Sequence, residues 1–461
     1  VALDPHLPTR RLTQVGPHLV DDLGRQVLLR GVNCGGRSKL PPYFPFHFVE
    51  SGRPDQVEAP TFREAVAAYC DRLEGWGLNV VRLPFAWEAL EPTRGSYDEV
   101  WLARYTELAE AIGARGLRVI VDFHQDVFGR PWYGDGFPLW ACDRPLIDPP
   151  PTSPEWFMGY VNSDDVQRNF DRLWANDDGI QDALVRMWTK MASTLSVLDA
   201  VVGFEIINEP GWGTADPVAW AKETLTPFYS RLAAHLRTVA PDCLVFFDAT
   251  GMDAITGACF GERPDGEGLV FAPHYYDPSA ILEGKYNGEG DIAGPLATWA
   301  EKGAEWAVPV LVGEFGIDPG GLGAGDYVRA NYEELDRNLL HGTLWEYSAT
   351  FDDWNDENMS IVDGEGNEGP TVSAMVRPFP AATAGTLAAF EFDPRTRKGA
   401  WSFNAQAGGL SELVVPSRLY PGGVSGSIEG SAASLQRDAS RQRLMVRTDA
   451  AGDVVVRFGP A

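Results

Sequence analysis

Along residues 1 to about 375, short apolar runs alternate with stretches whose apolar positions recur at helical spacing. The runs are Val27–Val32, Val80–Phe85, Val119–Phe123, Val201–Ile207, Leu244–Phe247, Leu269–Ala272, Val310–Val312 and Thr343–Leu344. Most are nearly continuous in Val, Ile, Leu and Phe, the pattern of strands buried on both faces. The segments between them predict helices. One opens at Thr61, where Glu64 completes a capping box; others cover about 99–115, 167–194, 216–239, 294–306 and 326–340. Eight strands separated mostly by helices predict an α/β fold, a (β/α)8 barrel over residues 1–378, rather than an open sheet. A doubly wound sheet would show a glycine fingerprint after its first strand, and none is there.

The helical period ends near Met375. Beyond it, Leu387–Phe392, Trp401–Phe403, Leu413–Val415, Leu444–Arg447 and Val454–Phe458 are divided by turn signals such as Asp393-Pro394 and Ala451-Gly452-Asp453. This predicts a C-terminal all-β sandwich over residues 379–461, with Pro378 and Pro380 at the junction.

Composition narrows the function classes. At 44% hydrophobic and 22% charged residues the chain of 461 can bury a large core, which excludes disordered and collagen-like readings. The 38 Lys and Arg against 65 Asp and Glu leave a net charge of −27. Such a chain repels phosphate backbones and anionic headgroups, so no nucleic-acid partner is expected. No apolar run approaches the roughly 18 residues of a membrane span. Cys34, Cys70, Cys142, Cys243 and Cys259 form no CxxC; a structural zinc site and a disulfide framework are not expected, and at least one thiol stays unpaired or intermolecular. The first residue is Val1 rather than Met, as expected of a processed or trimmed form. High acidity with 15 Trp and 14 Tyr fits a secreted, extracellular enzyme, and an intracellular one could have the same composition.

Barrel enzymes carry their chemistry at the C-terminal ends of the strands. There the sequence places Arg82, His124-Gln125-Asp126, Asn208-Glu209-Pro210, His274-Tyr275-Tyr276, Glu314 and Trp345-Glu346. Glu209 and Glu314, on the fourth and seventh strands, face each other across the barrel mouth. Glycoside hydrolysis needs such a pair, one acid for the leaving oxygen and one carboxylate at the anomeric carbon.

Arg82, His124, Asn208, Glu209, His274, Tyr276, Glu314 and Trp345 fill, in order, the strand-end positions of the clan A barrel glycosidases, and the chain resembles glycoside hydrolase family 5. More narrowly, it resembles the microbial endoglycoceramidases of actinobacterial type. That likeness rests on Ser38-Lys39-Leu40-Pro41-Pro42-Tyr43-Phe44-Pro45-Phe46, on His124-Gln125-Asp126-Val127-Phe128, and on Val376-Arg377-Pro378-Phe379-Pro380 before the sandwich. The resemblance implies a retaining endo-β-glycosidase cutting between oligosaccharide and ceramide, with no metal or organic cofactor. Its substrate would be a glycosphingolipid presented in micelles or membranes, and a monomer is expected. The alternatives are a β-1,4-glucanase, or a family 5 β-glucosidase acting on steryl or aryl glycosides; a non-catalytic glycan-binding module would need neither facing Glu nor Asn208.

Glu209 is then the acid/base, kept protonated by the nearby second carboxylate, and Glu314 the nucleophile, oriented by Arg82 and Tyr276. Retention predicts carboxyl groups about 5–5.5 Å apart. Asn208 would meet the 2-hydroxyl and Trp345 would form a stacking platform. His124 and His274 are either site residues or satisfied core imidazoles. By the resemblance, Lys39 and Asp126 would clamp sugar hydroxyls, joined by Trp174. Glu205, four residues before Glu209, is expected to be structural and paired with Arg82 or another cation. Gly320–Gly325 lacks the last glycine of a nucleotide loop, that position being Asp326, a candidate helix N-cap. The acidic run Asp352, Asp353, Asp356, Glu357 lacks a calcium loop's central glycine and is expected to be a solvated loop, with substrate contact as the alternative. Two long βα loops, residues 34–60 and 125–166, carry Leu40, Phe44, Phe46, Phe48, Val127, Phe128, Trp132, Phe137, Trp156, Phe157 and Met158. Branched alkyls among the rings favour a lipid tail over sugar; the alternative is a lid burying its own side chains.

Overall fold

Eight short parallel strands form one sheet that closes on itself. In chain order they are Arg30–Asn33, Val80–Phe85, Arg118–Phe123, Val201–Glu205, Leu244–Phe247, Leu269–Phe271, Leu311–Val312 and His341–Leu344. The eighth pairs with the first, and a parallel bridge between Phe271 and Val310 joins the sixth to the seventh. The computed structural model describes residues 11–49, 59–146, 156–349 and 357–461.

Period-two alternation sets what points inward. Val80, Ile120, Val202, Leu244, Phe246, Val270 and Leu311 form an apolar cluster separate from the one under the helices. Two residues further along the same faces, Val80 gives way to Arg82 and Ile120 to Asp122. The barrel is therefore apolar low down and charged towards its C-terminal mouth.

The helix from Phe62 to Trp76 begins with the expected box, Thr61 and Glu64 capping each other, and ends at Gly77 in the left-handed region. The expected helix over 167–194 is two, Asp164–Trp174 and Ile180–Leu195. Asn176, Asp178 and Gly179 have positive φ between them, which no continuous helix tolerates. The helix near 326 starts at Ala324 with Gly323 as N-cap, so Asp326 sits in the first turn and pairs with Arg329 rather than capping.

The expected first strand is also two. Gln26–Val27 pairs with Phe379–Thr383, and only Arg30–Asn33 enters the barrel. The hairpin Leu12–Val15/His18–Asp21 and Gln26–Val27 thereby join Phe379–Thr383, Leu410–Val414, Arg443–Thr448 and Ala433–Asp438 in a seven-stranded sheet. This sheet packs on a four-stranded one, Gly385–Asp393, Lys398–Ala405, Gly452–Pro460 and Val424–Gly430, over Trp401, Phe403, Leu413, Leu444, Val446 and Val456. All five cysteines are free thiols. No helix among the described residues is long and apolar enough to cross a membrane.

Candidate active site

Arg82 is the centre of the charged layer. It is fully buried, and its guanidinium grips Glu205 with two bonds, Nε to Oε2 and Nη2 to Oε1, both 2.8 Å. Nη1 donates to Glu314 Oε1 at 2.5 Å and to Asn33 Oδ1 at 3.0 Å, and Nη2 to Asn208 Oδ1 at 2.9 Å. Asp122 lies 3.1 Å away. Only a planar fork reaches so many acceptors at once. Glu205 is accordingly neutralised at the floor.

Glu314 takes its second bond from the Tyr276 hydroxyl, 2.8 Å from Oε2. Burial works against its charge, but His274, Arg82, His124 and Lys39 outweigh burial and hold the carboxyl down at about 2. It is an anion at any working pH, as a nucleophile must be. Glu209 is the more exposed of the two and has a backbone φ of +37°, in the left-handed region. Its Oε1 lies 2.8 Å from Nδ1 of His274, and its N–H donates to Asp248 Oδ2 at 2.8 Å. One oxygen of Glu209, one of Glu314 and a ring nitrogen of His274 all lie within 4.8 Å of one another. A carboxylate spacing this short matches retaining enzymes and leaves no room for the water of an inverting one. The cations Arg82, Lys39 and the histidines already offset the acidic cluster, and the His274 ring occupies its middle.

The side wall is built by Lys39, His124, Asp126 and Trp345. Lys39 Nζ is 2.6 Å from Asp126 Oδ2 and lies over the Trp345 ring, 4.5 Å from its centroid. The His124 ring stacks on Trp345 at 5.1 Å, with Nδ1 2.8 Å from Asp122 and Nε2 3.4 Å from Asp126. Burial and Lys39 tend to discharge that ring, yet Asp122 and Asp126 prevail and raise it to about 10. Asn208 is pinned by Arg82 on one side and by the Gln125 carbonyl, 3.1 Å from Nδ2, on the other.

Ten of the eleven expected residues thus converge. Trp174 departs from the expectation of a sugar contact: its indole N–H is committed to the Gly211 carbonyl at 2.8 Å, and its ring packs on Trp220 and Phe228. It supports the loop after Glu209 from outside. The apolar loops need a larger correction. Phe44, Phe46 and Phe48 are 1–2% exposed and pack on Phe62 and Tyr69; Val127, Phe128 and Phe137 are wholly buried. These side chains fill the core under the loops. Trp156, Phe157 and Met158 are partly exposed, and Lys39 Nζ is 5.6 Å from the Trp156 ring.

Four residues outside the expected set belong here. Asn33 ends the first strand and Asp248 follows the fifth, both strand-end positions open to the argument that found the others. Asp122 was hidden by facing inward from within a strand. Glu357 belongs to the acidic run expected to be a solvated loop, with substrate contact as the alternative. Although Asp352, Asp353 and Asp356 lie outside the described residues, Glu357 is not solvated; it accepts from the Trp345 indole N–H and lies 3.4 Å from Lys39 Nζ.

Two family models match the chain: cellulase (glycosyl hydrolase family 5) over residues 51–350, and the glycoside hydrolase family 5 C-terminal domain over 377–457. The chain is 29% identical to endoglycoceramidase I of Rhodococcus hoagii, over 98% of this chain and 89% of that one. It is 28% identical to an endoglycoceramidase of Cyanea nozakii, over 56% and 55%. Its fold matches that of endo-glycoceramidase II from a Rhodococcus species in complex with ganglioside GM3, with a TM-score of 0.79 and 24% identity over 97% and 100% of the two chains.

Proposed function

The chain belongs to glycoside hydrolase family 5, and from that premise we propose that it is a retaining endo-β-glycosidase that releases an intact oligosaccharide from the ceramide of a glycosphingolipid. The observation that carries the chemistry is the Glu209–Glu314 pair, one oxygen of each within 4.8 Å of the other and both facing Nδ1 of His274. Glu314 attacks the anomeric carbon while Glu209 gives its proton to the departing ceramide oxygen. A glycosyl ester on Glu314 results. Glu209, now a carboxylate, takes a proton from water as that water attacks the same carbon, and the β-configuration is kept. Arg82 and Tyr276 hold Glu314 in line before attack, and their hydrogen bonds stabilise the negative charge that returns to its carboxylate as the glycosyl bond breaks.

In this reading Lys39, His124, Asp126 and Asn208 bind hydroxyls of the reacting sugar beside Trp345. The partly exposed Trp156, Phe157 and Met158 are the apolar surface for the lipid. The curated relatives support the ceramide leaving group, being named for that activity over nearly the whole length in one case. The excess of acidic residues supports a secreted monomer acting on micelles or neutral membranes. Mass spectrometry of the products from a ganglioside and from soluble cellulose tests the proposal. Intact glycan plus free ceramide is expected from the first; shortened cello-oligosaccharides with the ganglioside untouched would replace it with an endoglucanase.

A further inference from the structure

Asp248 follows the fifth barrel strand and takes no part in the reaction as described. It is buried, and it meets the acid/base from two directions. Oδ2 accepts the Glu209 N–H at 2.8 Å, holding the main chain of a residue whose φ is positive, while Oδ1 accepts the Ala249 N–H at 2.6 Å. The same Oδ2 lies 3.5 Å from Nε2 of His274, whose Nδ1 is the 2.8 Å partner of Glu209 Oε1. The ring reaches this position because residue 313 is glycine; a Cβ there would stand 2.8 Å from Nε2.

The charges facing the ring come from five side chains on or just beyond four strands. Nδ1 faces Glu209 and, at 3.6 Å, Glu314; Nε2 faces Asp248 and, at 4.0 Å, Glu205; Arg82 opposes its charge from the floor. Glu205 and Glu314 are already paired with Arg82. Among the described residues, Asp248 pairs with no side-chain cation except this imidazole. Burial works to discharge the ring, but Asp248, Glu314 and the bond to Glu209 raise it to about 9. Burial pushes the Asp248 carboxyl up as well, with Glu205 and Glu209 adding to it, so ring and carboxyl compete for one proton. Two backbone N–H donors into the carboxylate favour its ionised form, which leaves that proton on Nε2.

We propose that Asp248 is a positioning residue for the acid/base: it keeps a proton on Nε2 of His274 and, through that ring and the Glu209 main chain, governs how tightly the His274–Glu209 pair holds the proton delivered to the leaving group. This rests on the glycosidase reading above. Asp248→Asn retains the shape and an acceptor for the Glu209 N–H but removes the negative charge. Every proton on the pair is then held less tightly. The alkaline limb of the kcat/KM profile for an aryl β-glycoside with a poor leaving group is expected to move down by about one pH unit. Near that limb the loss approaches tenfold, whereas a dinitrophenyl glycoside, which needs little acid assistance, should lose less than about threefold. An unmoved limb, or equal losses on both substrates, overturns the proposal. A second arm needs no turnover. Nitrogen-15 NMR of the wild-type histidines, with His274 assigned from His274→Gln, is expected to show Nε2 protonated at pH 7; a bare Nε2 overturns the proposal even if Asp248→Asn fails to fold. If the wild-type chain cleaves neither glycoside the functional reading falls, and the NMR arm still decides where the proton lies.

Discussion

Phe46 and Phe157 lie on the two long loops of the catalytic face, and replacing each with serine should give opposite phenotypes. Phe46 is 2% exposed, with ring centroids of Phe62 and Tyr69 at 5.8 and 5.3 Å. Truncating a buried Phe costs about 3–5 kcal/mol, and burying an unpartnered hydroxyl adds about 1–3. Against a total stability of about 5–15 kcal/mol that is a large fraction. Phe46→Ser should therefore lower the urea midpoint sharply and reduce every activity together, through the folded fraction. Phe157 is partly exposed and packs on Trp156 at 5.9 Å. Its loss should leave the midpoint nearly unchanged. If it covers two or three methylenes of a ceramide at about 0.8 kcal/mol each, the specificity constant for a glycosphingolipid falls about 15- to 60-fold. An aryl glycoside of the same sugar should lose less than about twofold. The assay is kcat/KM on both substrates beside a urea titration of each variant. Equal losses on the two substrates by a fully folded Phe157→Ser would refute the lipid-facing role of this segment. A stable Phe46→Ser that fails only on the lipid would refute the core assignment of the other.

Three further outcomes follow from the charged layer. Arg82→Lys keeps one charge but loses the fork across Glu205, Glu314 and Asn208; with buried carboxylates left unpaired, stability should drop by about 3–5 kcal/mol in chemical denaturation, and a loss below about 1 kcal/mol would contradict the network. Glu314→Ser should abolish hydrolysis yet use glycosyl fluorides of the inverted anomer, whereas Glu209→Ala should accumulate the glycosyl-enzyme from activated substrates; identical rescue of both by azide would undo the division of roles. His124 and His274 are raised to about 10 and about 9 when folded, against about 6.5 unfolded. Their stabilisation is complete below about pH 6.5 and is lost as pH rises through 9 to 10, so the thermal midpoint should fall over that window, and a His124→Gln variant should show a smaller fall.

How the site was legible follows from one rule. A strand buried on both faces shows as an apolar run, and a barrel puts its chemistry just beyond the ends of those runs. Arg82, His124, Asn208, Glu209, His274, Tyr276, Glu314 and Trp345 could each be found that way. The same rule applied to the fifth strand would have found Asp248. Glu357 and the pairing of Lys39 with Asp126 could not be found so, because they join loops far apart in the chain and no local pattern records which loop tips meet.

The sequence by itself determined the alternation of elements, the capping box at Thr61 and the residue types at the barrel mouth, since these depend on neighbours within a few positions. Tertiary structure alone decided which apolar residues were for packing and which for solvent or ligand. Phe46 and Phe157 have the same side chain on loops of similar composition; one is sealed under Phe62 and Tyr69 and the other stands partly open. Only the tertiary structure, too, divided Val27–Val32, pairing Gln26–Val27 with Phe379–Thr383, more than 350 residues away. Hydrophobicity states that a residue leaves water, but the surface it leaves water for is supplied by distant parts of the chain.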